Sequence, residues 1–318
     1  MTIAQSLKLA VGKLSAEKIN LPHLEAEILL SAVLKKPREF ILAHGEAGLT
    51  KPQIANFKSQ IKKRLKGLPI AYLTGAKEFY GLDFIVNKNV LIPRPETELM
   101  VEEVLNFTPR GSRPAAFIDV GTGSGCIIIA LAKQNINGKL FAIDISAKAL
   151  TVAKQNARTH NVHKKIKFLK GDLLSPLIHN SAFKTADSDL IITANLPYGW
   201  KAWKNNCSMN TVGLKFEPQI ALYAGKNGLE LYEKLFKQIN YLIYNTKYKI
   251  QNTIMLCEID PRQTAKIKQL VKRELPEATC QIKKDLSGLD RLAIIKSINQ
   301  SSIKILRRIA VRRRLGPV

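Results

Sequence analysis

The run Phe117-Ile-Asp-Val-Gly-Thr-Gly-Ser-Gly-Cys-Ile-Ile-Ile-Ala-Leu-Ala132 decides how this chain is read. Phe117 to Val120 is a short apolar strand, Gly121, Gly123 and Gly125 let the backbone turn tightly, and Cys126 to Ala132 is an apolar helix. A strand, glycine loop and helix in that order leave loop N–H groups and a helix N-terminus open to a ligand. The G-x-G-x-G spacing is shared by nucleotide-binding and S-adenosylmethionine-binding folds, so it predicts an α/β sheet before it predicts a ligand.

Working outward, the alternation continues. Lys139 to Ile143 is a second β-like run closed by Asp144. A carboxylate there is placed either to accept two ribose hydroxyls, as in other doubly wound sheets, or to cap a turn or helix. Ile166 to Leu169 is a third strand followed by Gly171-Asp172, where Asp172 either receives an adenine amino group or lies in a solvated turn. Asp189 to Ala194 is a buried-strand pattern with Asn195-Leu196-Pro197-Tyr198 at its carboxyl end, the end at which open α/β sheets bind ligands.

That turn suits a nitrogen whose lone pair is delocalised into a carbonyl or a ring. Asn195 can accept one N–H through its side-chain oxygen and the Leu196 carbonyl a second, while Pro197 stiffens the turn and Tyr198 offers a flat wall. Catalysis then consists of orientation and stabilisation of the charge that develops on nitrogen, with no metal or covalent intermediate. None of His160, His163 and His179, all in polar stretches, is a convincing general base.

With these motifs goes a resemblance over about Leu24 to Lys296. Gly67-Leu-Pro-Ile-Ala-Tyr-Leu-Thr-Gly75, Glu78 to Phe84 and Val90-Leu-Ile-Pro-Arg-Pro-Glu-Thr-Glu98 stand upstream of the core. Phe216 to Leu222, Gly225 to Leu229, Glu258 and Lys284 to Leu292 stand downstream. In this order they resemble the methyltransferases that modify the glutamine side-chain nitrogen of peptide chain release factors. The resemblance implies a Rossmann-like class I S-adenosylmethionine-dependent methyltransferase with a small N-terminal helical bundle. It implies that Gly121, Thr122, Gly123, Ser124 and Gly125 cradle the methionine part of S-adenosyl-L-methionine, that Asp144 holds the ribose, and that Asp172 and Leu173 border the adenine. Asn195, also beside the cofactor, would hold the glutamine amide with the Leu196 carbonyl, in a slot shaped by Pro197 and Tyr198. Arg94 and Glu96 would flank the substrate, the alternative being a surface ion pair. The implied partners are class I release factors carrying a Gly-Gly-Gln loop, met in the cytoplasm by a monomer.

Leu196 departs from the second proline usual in that family. Asn-Leu-Pro-Tyr is similar to the turn of ribosomal RNA adenine dimethylases, so an adenine N6-methyltransferase is the second reading. Trp200, Lys201, Trp203 and Lys204 would then stack on and neutralise nucleic acid, the alternative being two tryptophans in a lid over an amide substrate. A catalytically idle RNA- or ribosome-binding module is the third, and predicts a decayed glycine loop where this one is intact.

Helical spacing in the first part, at Ile3, Leu7 and Leu14, at Leu24, Ile28, Leu29 and Val33, and at Ile54, Phe57, Ile61 and Leu65, is punctuated by Pro22, Pro37 and Pro52. The expected organisation is a partner-docking bundle over 1–74, a linker over 75–95, a catalytic domain over 96–298 and a basic tail over 299–318. Within the catalytic domain, 228–244 and 261–275 read as helices, 253–258 as a strand, and 279–283 with 292–295 as closing strands, giving a mostly parallel sheet with an antiparallel edge.

The 318 residues, 46% apolar, suffice for one large core and a small one. No apolar run approaches the roughly 20 residues of a membrane span, and the first residues do not read as a secretion signal. Cys126, Cys207, Cys257 and Cys280 lack C-x-x-C spacing, which argues against zinc and disulfides and for packing roles in a reducing compartment. Fifty basic against 25 acidic residues give a net charge of +25, spread widely, with seven basic and no acidic residues over 296–318. The basic surface and tail offer an RNA or ribosome contact.

Overall fold

The computed structural model describes residues 1–108, 115–178, 188–200, 211–244 and 250–298. The chain divides into two compact units. The first comprises Met1–Lys77, Val86–Lys88 and Asn205–Glu217, and the second the remainder.

In the first unit, α1 (Ile3–Ala16), α2 (Pro22–Leu34), α3 (Arg38–Ala43), α4 (Lys51–Leu65) and α5 (Ile70–Thr74) form a bundle. Capping boxes start two of them: Thr2 with Gln5 on α1 and Thr50 with Gln53 on α4, each satisfying two N–H groups that a helix start leaves unpaired. Pro22 and Pro52 occupy first-turn positions, where a missing N–H costs nothing. The apolar spacing read from sequence becomes the core, with Ile3, Leu14, Leu29, Leu30, Phe57 and Ile61 buried together. The guanidinium of buried Arg64 donates to both carboxylate oxygens of Glu25, at 2.7 and 2.9 Å, and ties α4 to α2.

The second unit opens with β1 (Ala76–Phe79), whose first residues lie in the first unit, and β2 (Leu82–Ile85), a two-stranded sheet inside the segment expected to be a linker. There follow α6 (Glu98–Phe107), β3 (Ala115–Val120), α7 (Cys126–Lys133), β4 (Gly138–Asp144), α8 (Ala147–Thr159), β5 (Ile166–Lys170), α9 (Ser175–Ile178), β6 (Ser188–Ala194), α10 (Glu230–Tyr244), β7 (Ile250–Glu258), α11 (Thr264–Glu274), β8 (Thr279–Lys284) and β9 (Asp290–Ile298). Seven strands form one sheet in the order β5-β4-β3-β6-β7-β9-β8. The first five of these pair in parallel. The two closing strands make the antiparallel edge that the sequence suggested. The β8–β9 hairpin turns back so that β9 inserts beside β7 and β8 takes the outside.

Period-two alternation gives the sheet two apolar faces. Ala116, Ile118 and Val120 of β3 join Ile192, Tyr232 and Phe236 in one core cluster, while Ala115 and Phe117 join Ile128, Leu131 and Leu140 in the other. Helix α7 is buried from Cys126 to Ala132, which is why its sequence is apolar all round. Burial pushes the Cys126 thiol up to about 12 and the Cys257 thiol up as well, so both are packing groups.

Gly228 marks a close approach. Its φ is +77°, and a Cβ there would lie 2.1 Å from the Tyr198 carbonyl oxygen. Gly228→Ala is expected to cost roughly 2–4 kcal/mol through strain and overlap, read as a lowered midpoint in urea.

Candidate active site

Strand order reverses between β3 and β6, the switch point where a doubly wound sheet opens a crevice. Val120 and Ala194 are register partners, so the next residues, Gly121 and Asn195, leave the sheet side by side. The glycine loop begins with the Gly121 and Thr122 N–H groups donating to the Ile143 carbonyl, at 2.8 and 3.0 Å. Gly121 sits at φ +73°, a conformation side chains rarely adopt, and a Cβ there would lie 3.1 Å from Leu196 Cδ2, which would have to give by a few tenths of an ångström. The glycine there lets the loop lie directly on the Asn195–Tyr198 turn.

A cleft of about 740 Å³, open solvent at its mouth included, runs along this seam. Its walls include Gly121, Thr122, Gly123, Ser124, Asp144, Asn195, Pro197 and Arg94. An adjoining cavity of about 910 Å³ shares Gly121, Asp144 and Pro197 and adds Asp172, Leu173 and Leu196. Of the residues singled out in the sequence, Tyr198 and Glu96 line neither, and the others meet here apart from Gly125, the N-cap of α7.

Asp144 does what a turn residue does: one carboxylate oxygen accepts the Gly123 N–H at 2.9 Å, the other the Ser146 N–H at 2.8 Å. It therefore props the glycine loop while lining the cleft. Burial raises its carboxyl, opposed by those N–H groups. The Asp172 carboxylate is paired with Lys234, and its backbone carbonyl accepts from Gln238. Leu173, at φ +53°, is held in the left-handed region beside it.

Asn195 donates its side-chain Nδ2–H to Thr97 Oγ1 at 3.1 Å, and Thr97 donates its hydroxyl to Glu258 Oε2 at 2.6 Å. The Tyr198 hydroxyl donates to Glu258 Oε1 at 3.3 Å, fixing the ring that the sequence marked as a wall. Burial pushes that hydroxyl up, with the Glu258 charge adding to it, so it remains protonated. The Leu196 N–H, absent from a proline, donates to the Tyr232 hydroxyl at 3.4 Å, and the single proton of that hydroxyl faces the carbonyls of Glu258, at 2.6 Å, and Ala194, at 2.9 Å. The departure at Leu196 thus adds a buried donor that the fold satisfies.

Arg94 borders the cleft, and Glu96 acts by charge, raising the Glu258 carboxyl. The Arg262 guanidinium covers the Trp200 ring at 4.8 Å and is itself held by both carboxylate oxygens of Asp260, so one face of that ring is taken. Lys201, Trp203, Lys204, His179, Cys207 and the basic tail lie outside the described residues. His160 hydrogen bonds the Asp83 carbonyl and packs on Phe84, a structural role. Among the described residues no helix is long and apolar enough to cross a membrane.

Sequence reasoning passed over Asp119, Thr97, Thr193 and Tyr232. Asp119 is buried at the end of β3, where its carboxylate accepts from Thr122 Oγ1 at 2.6 Å and Thr193 Oγ1 at 2.8 Å. Its signal was a lone acid inside an apolar strand. Burial pushes its carboxyl from 3.8 up to about 6, against both hydroxyls. The folded protein therefore holds this proton more tightly than the unfolded chain, and stability from this group is lost as pH rises from about 4 to 6. The loss is roughly 3 kcal/mol. Urea titrations at pH 4 to 7 are expected to show the stability of the native protein falling by that amount relative to Asp119→Asn; a constant difference would contradict it.

Glycine loop, acid-ended second strand, switch-point turn and a strand order closed by an antiparallel hairpin define a methyltransferase of the Rossmann-like class I type. Residues 112–281 match the methyltransferase domain family, and residues 5–75 match the PrmC N-terminal domain. The chain is 34% identical to the release factor glutamine methyltransferase of Bacillus anthracis, over 84% of this chain and 89% of that one. It is 33% identical to that of Nitratidesulfovibrio vulgaris, over 91% and 93%. The chain belongs to the release factor glutamine methyltransferase family and is an enzyme. Among solved structures, the hMettl16 catalytic domain in complex with MAT2A 3'UTR hairpin 6 superposes with a TM-score of 0.52 at 17% identity, covering 78% of this chain and 82% of that one. At that identity it shows the fold alone.

Proposed function

We propose that this enzyme moves a methyl group from S-adenosyl-L-methionine to the side-chain amide nitrogen of the glutamine in the Gly-Gly-Gln loop of class I release factors. The observation that carries the reading is the meeting, at the carboxyl ends of β3 and β6, of a glycine loop with a turn that offers two hydrogen-bond acceptors. Its support is the kinship over most of the chain with enzymes named for that reaction.

The residues present fit the cofactor. Ser124 Oγ is buried on the cleft wall without a hydrogen-bond partner beyond the weakly accepting sulfur of Cys126. The Asp144 carboxylate retains lone pairs for ribose hydroxyls beyond the two N–H groups it holds. Thr122 and the loop glycines border the methionine part, and Asp172 and Leu173 the adenine. Bound there, S-adenosylmethionine supplies an electrophilic methyl on a sulfonium sulfur.

The chain's own contribution is placement. Asn195 Oδ1 and the Leu196 carbonyl each accept one amide N–H, which turns the nitrogen lone pair toward the methyl. Their partial negative charge stabilises the positive charge that grows as the N–C bond forms and the C–S bond breaks. Pro197 walls the slot and Arg94 flanks it, Tyr198 and Glu96 stand behind them beside Glu258, and the surplus proton leaves to water afterwards. The bundle of the first unit docks the release factor.

Labelled methyl transfer to a class I release factor, beside a loop Gln→Ala variant and total ribosomal RNA, tests this. Label on the intact factor only is expected; label on RNA only would favour the adenine reading.

A further inference from the structure

Asn195 can serve as an acceptor only if its oxygen, and not its NH2, faces the substrate. An amide side chain is nearly symmetric in shape, so packing alone does not choose between the two orientations. The surroundings of Asn195 choose by proton count.

Glu258 stands at the carboxyl end of β7, 2% exposed, and Thr97 precedes α6, also 2% exposed. An ionised carboxylate only accepts. Thr97 has a single hydroxyl proton and, at 2.6 Å, gives it to Glu258 Oε2. The oxygen of Thr97 is then left to accept, and its partner at 3.1 Å must be the donor end of the Asn195 amide. The carbonyl end is thereby turned the other way. The same carboxylate accepts the Tyr198 hydroxyl through Oε1, so one buried group sets both the amide and the tyrosine ring. Burial pushes the Glu258 carboxyl up and the Glu96 charge adds to it, while the Thr97 hydroxyl, the Arg291 guanidinium and the Tyr198 hydroxyl favour its charged form.

We infer that Glu258, acting through Thr97, is a positioning device that fixes the polarity of the Asn195 side-chain amide and so makes the slot selective for a nitrogen that brings hydrogens. This rests on the amide-clamp reading above. It assigns a task to Thr97, which lines the cleft beside Asn195, and to Glu258, which lies behind it.

The test compares kcat/KM for the release factor, the dissociation constant for S-adenosylmethionine, and the melting temperature across variants. Thr97→Val keeps the shape but removes the hydroxyl, and is expected to lower kcat/KM by about 10- to 100-fold. Cofactor affinity should stay within about twofold, because Val fills the same space on the cleft wall and the glycine loop keeps its bonds to Ile143 and Asp144. Thr97→Ser restores the hydroxyl and should return activity to within about threefold of the native enzyme.

A second arm reverses the chain of protons. Asn195→Asp alone sets two carboxylates against one hydroxyl proton and should be nearly inactive. Adding Glu258→Gln supplies an NH2 that can donate to Thr97, whose proton then turns to the carboxylate introduced at position 195. The double variant should recover at least about 10-fold over Asn195→Asp. Asn195→Ala is run alongside. If it is inactive while Thr97→Val keeps native kcat/KM, or if the double variant recovers nothing while melting normally, the polarity device is wrong and the clamp stands. If Asn195→Ala is itself active, the clamp falls and the device with it.

Discussion

Asn195→Ala is expected to lower kcat/KM for the release factor on the order of 100- to 1000-fold, the effect of deleting one preorganised dipole aimed at developing charge. The side chain supplies one of only two acceptors in the proposed slot, and Thr97 holds its far end. Removing it leaves the substrate nitrogen tethered by the Leu196 carbonyl alone, free to rotate its lone pair away from the methyl. The glycine loop keeps its anchors, since Gly121 and Thr122 bond Ile143 and Gly123 bonds Asp144. Affinity for S-adenosylmethionine, read by calorimetry, should therefore stay within about threefold. Native kcat/KM in this variant would remove the amide clamp from the account.

Asp144→Ala should show the opposite pattern. Its carboxylate holds the Gly123 and Ser146 N–H groups, and in the proposed complex the ribose as well. Each charge-assisted bond of this kind contributes about 1.5–3 kcal/mol, so the dissociation constant for S-adenosylmethionine should rise at least about 10- to 100-fold. Saturating cofactor should then recover much of the lost transfer, whereas it cannot rescue Asn195→Ala. An unchanged dissociation constant would mean that Asp144 is a turn residue only. Together the two variants separate holding the cofactor from holding the substrate.

What was legible in the sequence was whatever the chain punctuates locally. Strands β3 to β6 followed from apolar runs closed by Gly121, Asp144, Gly171 and Asn195, because a buried parallel strand is continuous in its apolar residues and ends at a loop. The capped and proline-led helices of the first unit were legible for the same reason. Helices α6 and α8 were not read, since their buried stripes are interrupted by Glu103 and Asn156, polar residues buried within them. Asn156 is buried because its amide bonds Ile85 and Ser124, partners 71 and 32 residues away. The β1–β2 hairpin was hidden in a segment too short and mixed to show alternation.

At the cleft, the residues singled out in the sequence lie in contiguous motifs, Gly121 to Gly125 and Asn195 to Tyr198 among them, and those packed behind them do not. Thr97 and Glu258 are 161 residues apart, and Asp119 and Thr193 are 74 apart, so only the strand register and the packing of α6 bring them together. Glu258 stood in the family resemblance with no task attached, and its task depends on what its two oxygens accept. A carboxylate that works through a hydroxyl has no local pattern to betray it.

The most direct measurement is tandem mass spectrometry of the loop peptide from a class I release factor incubated with the enzyme and S-adenosylmethionine. The account predicts one methyl group, localised by fragment ions to the side-chain nitrogen of the Gly-Gly-Gln glutamine and absent with Asn195→Ala. An unmodified loop peptide, with the methyl recovered on adenine of ribosomal RNA, would contradict it.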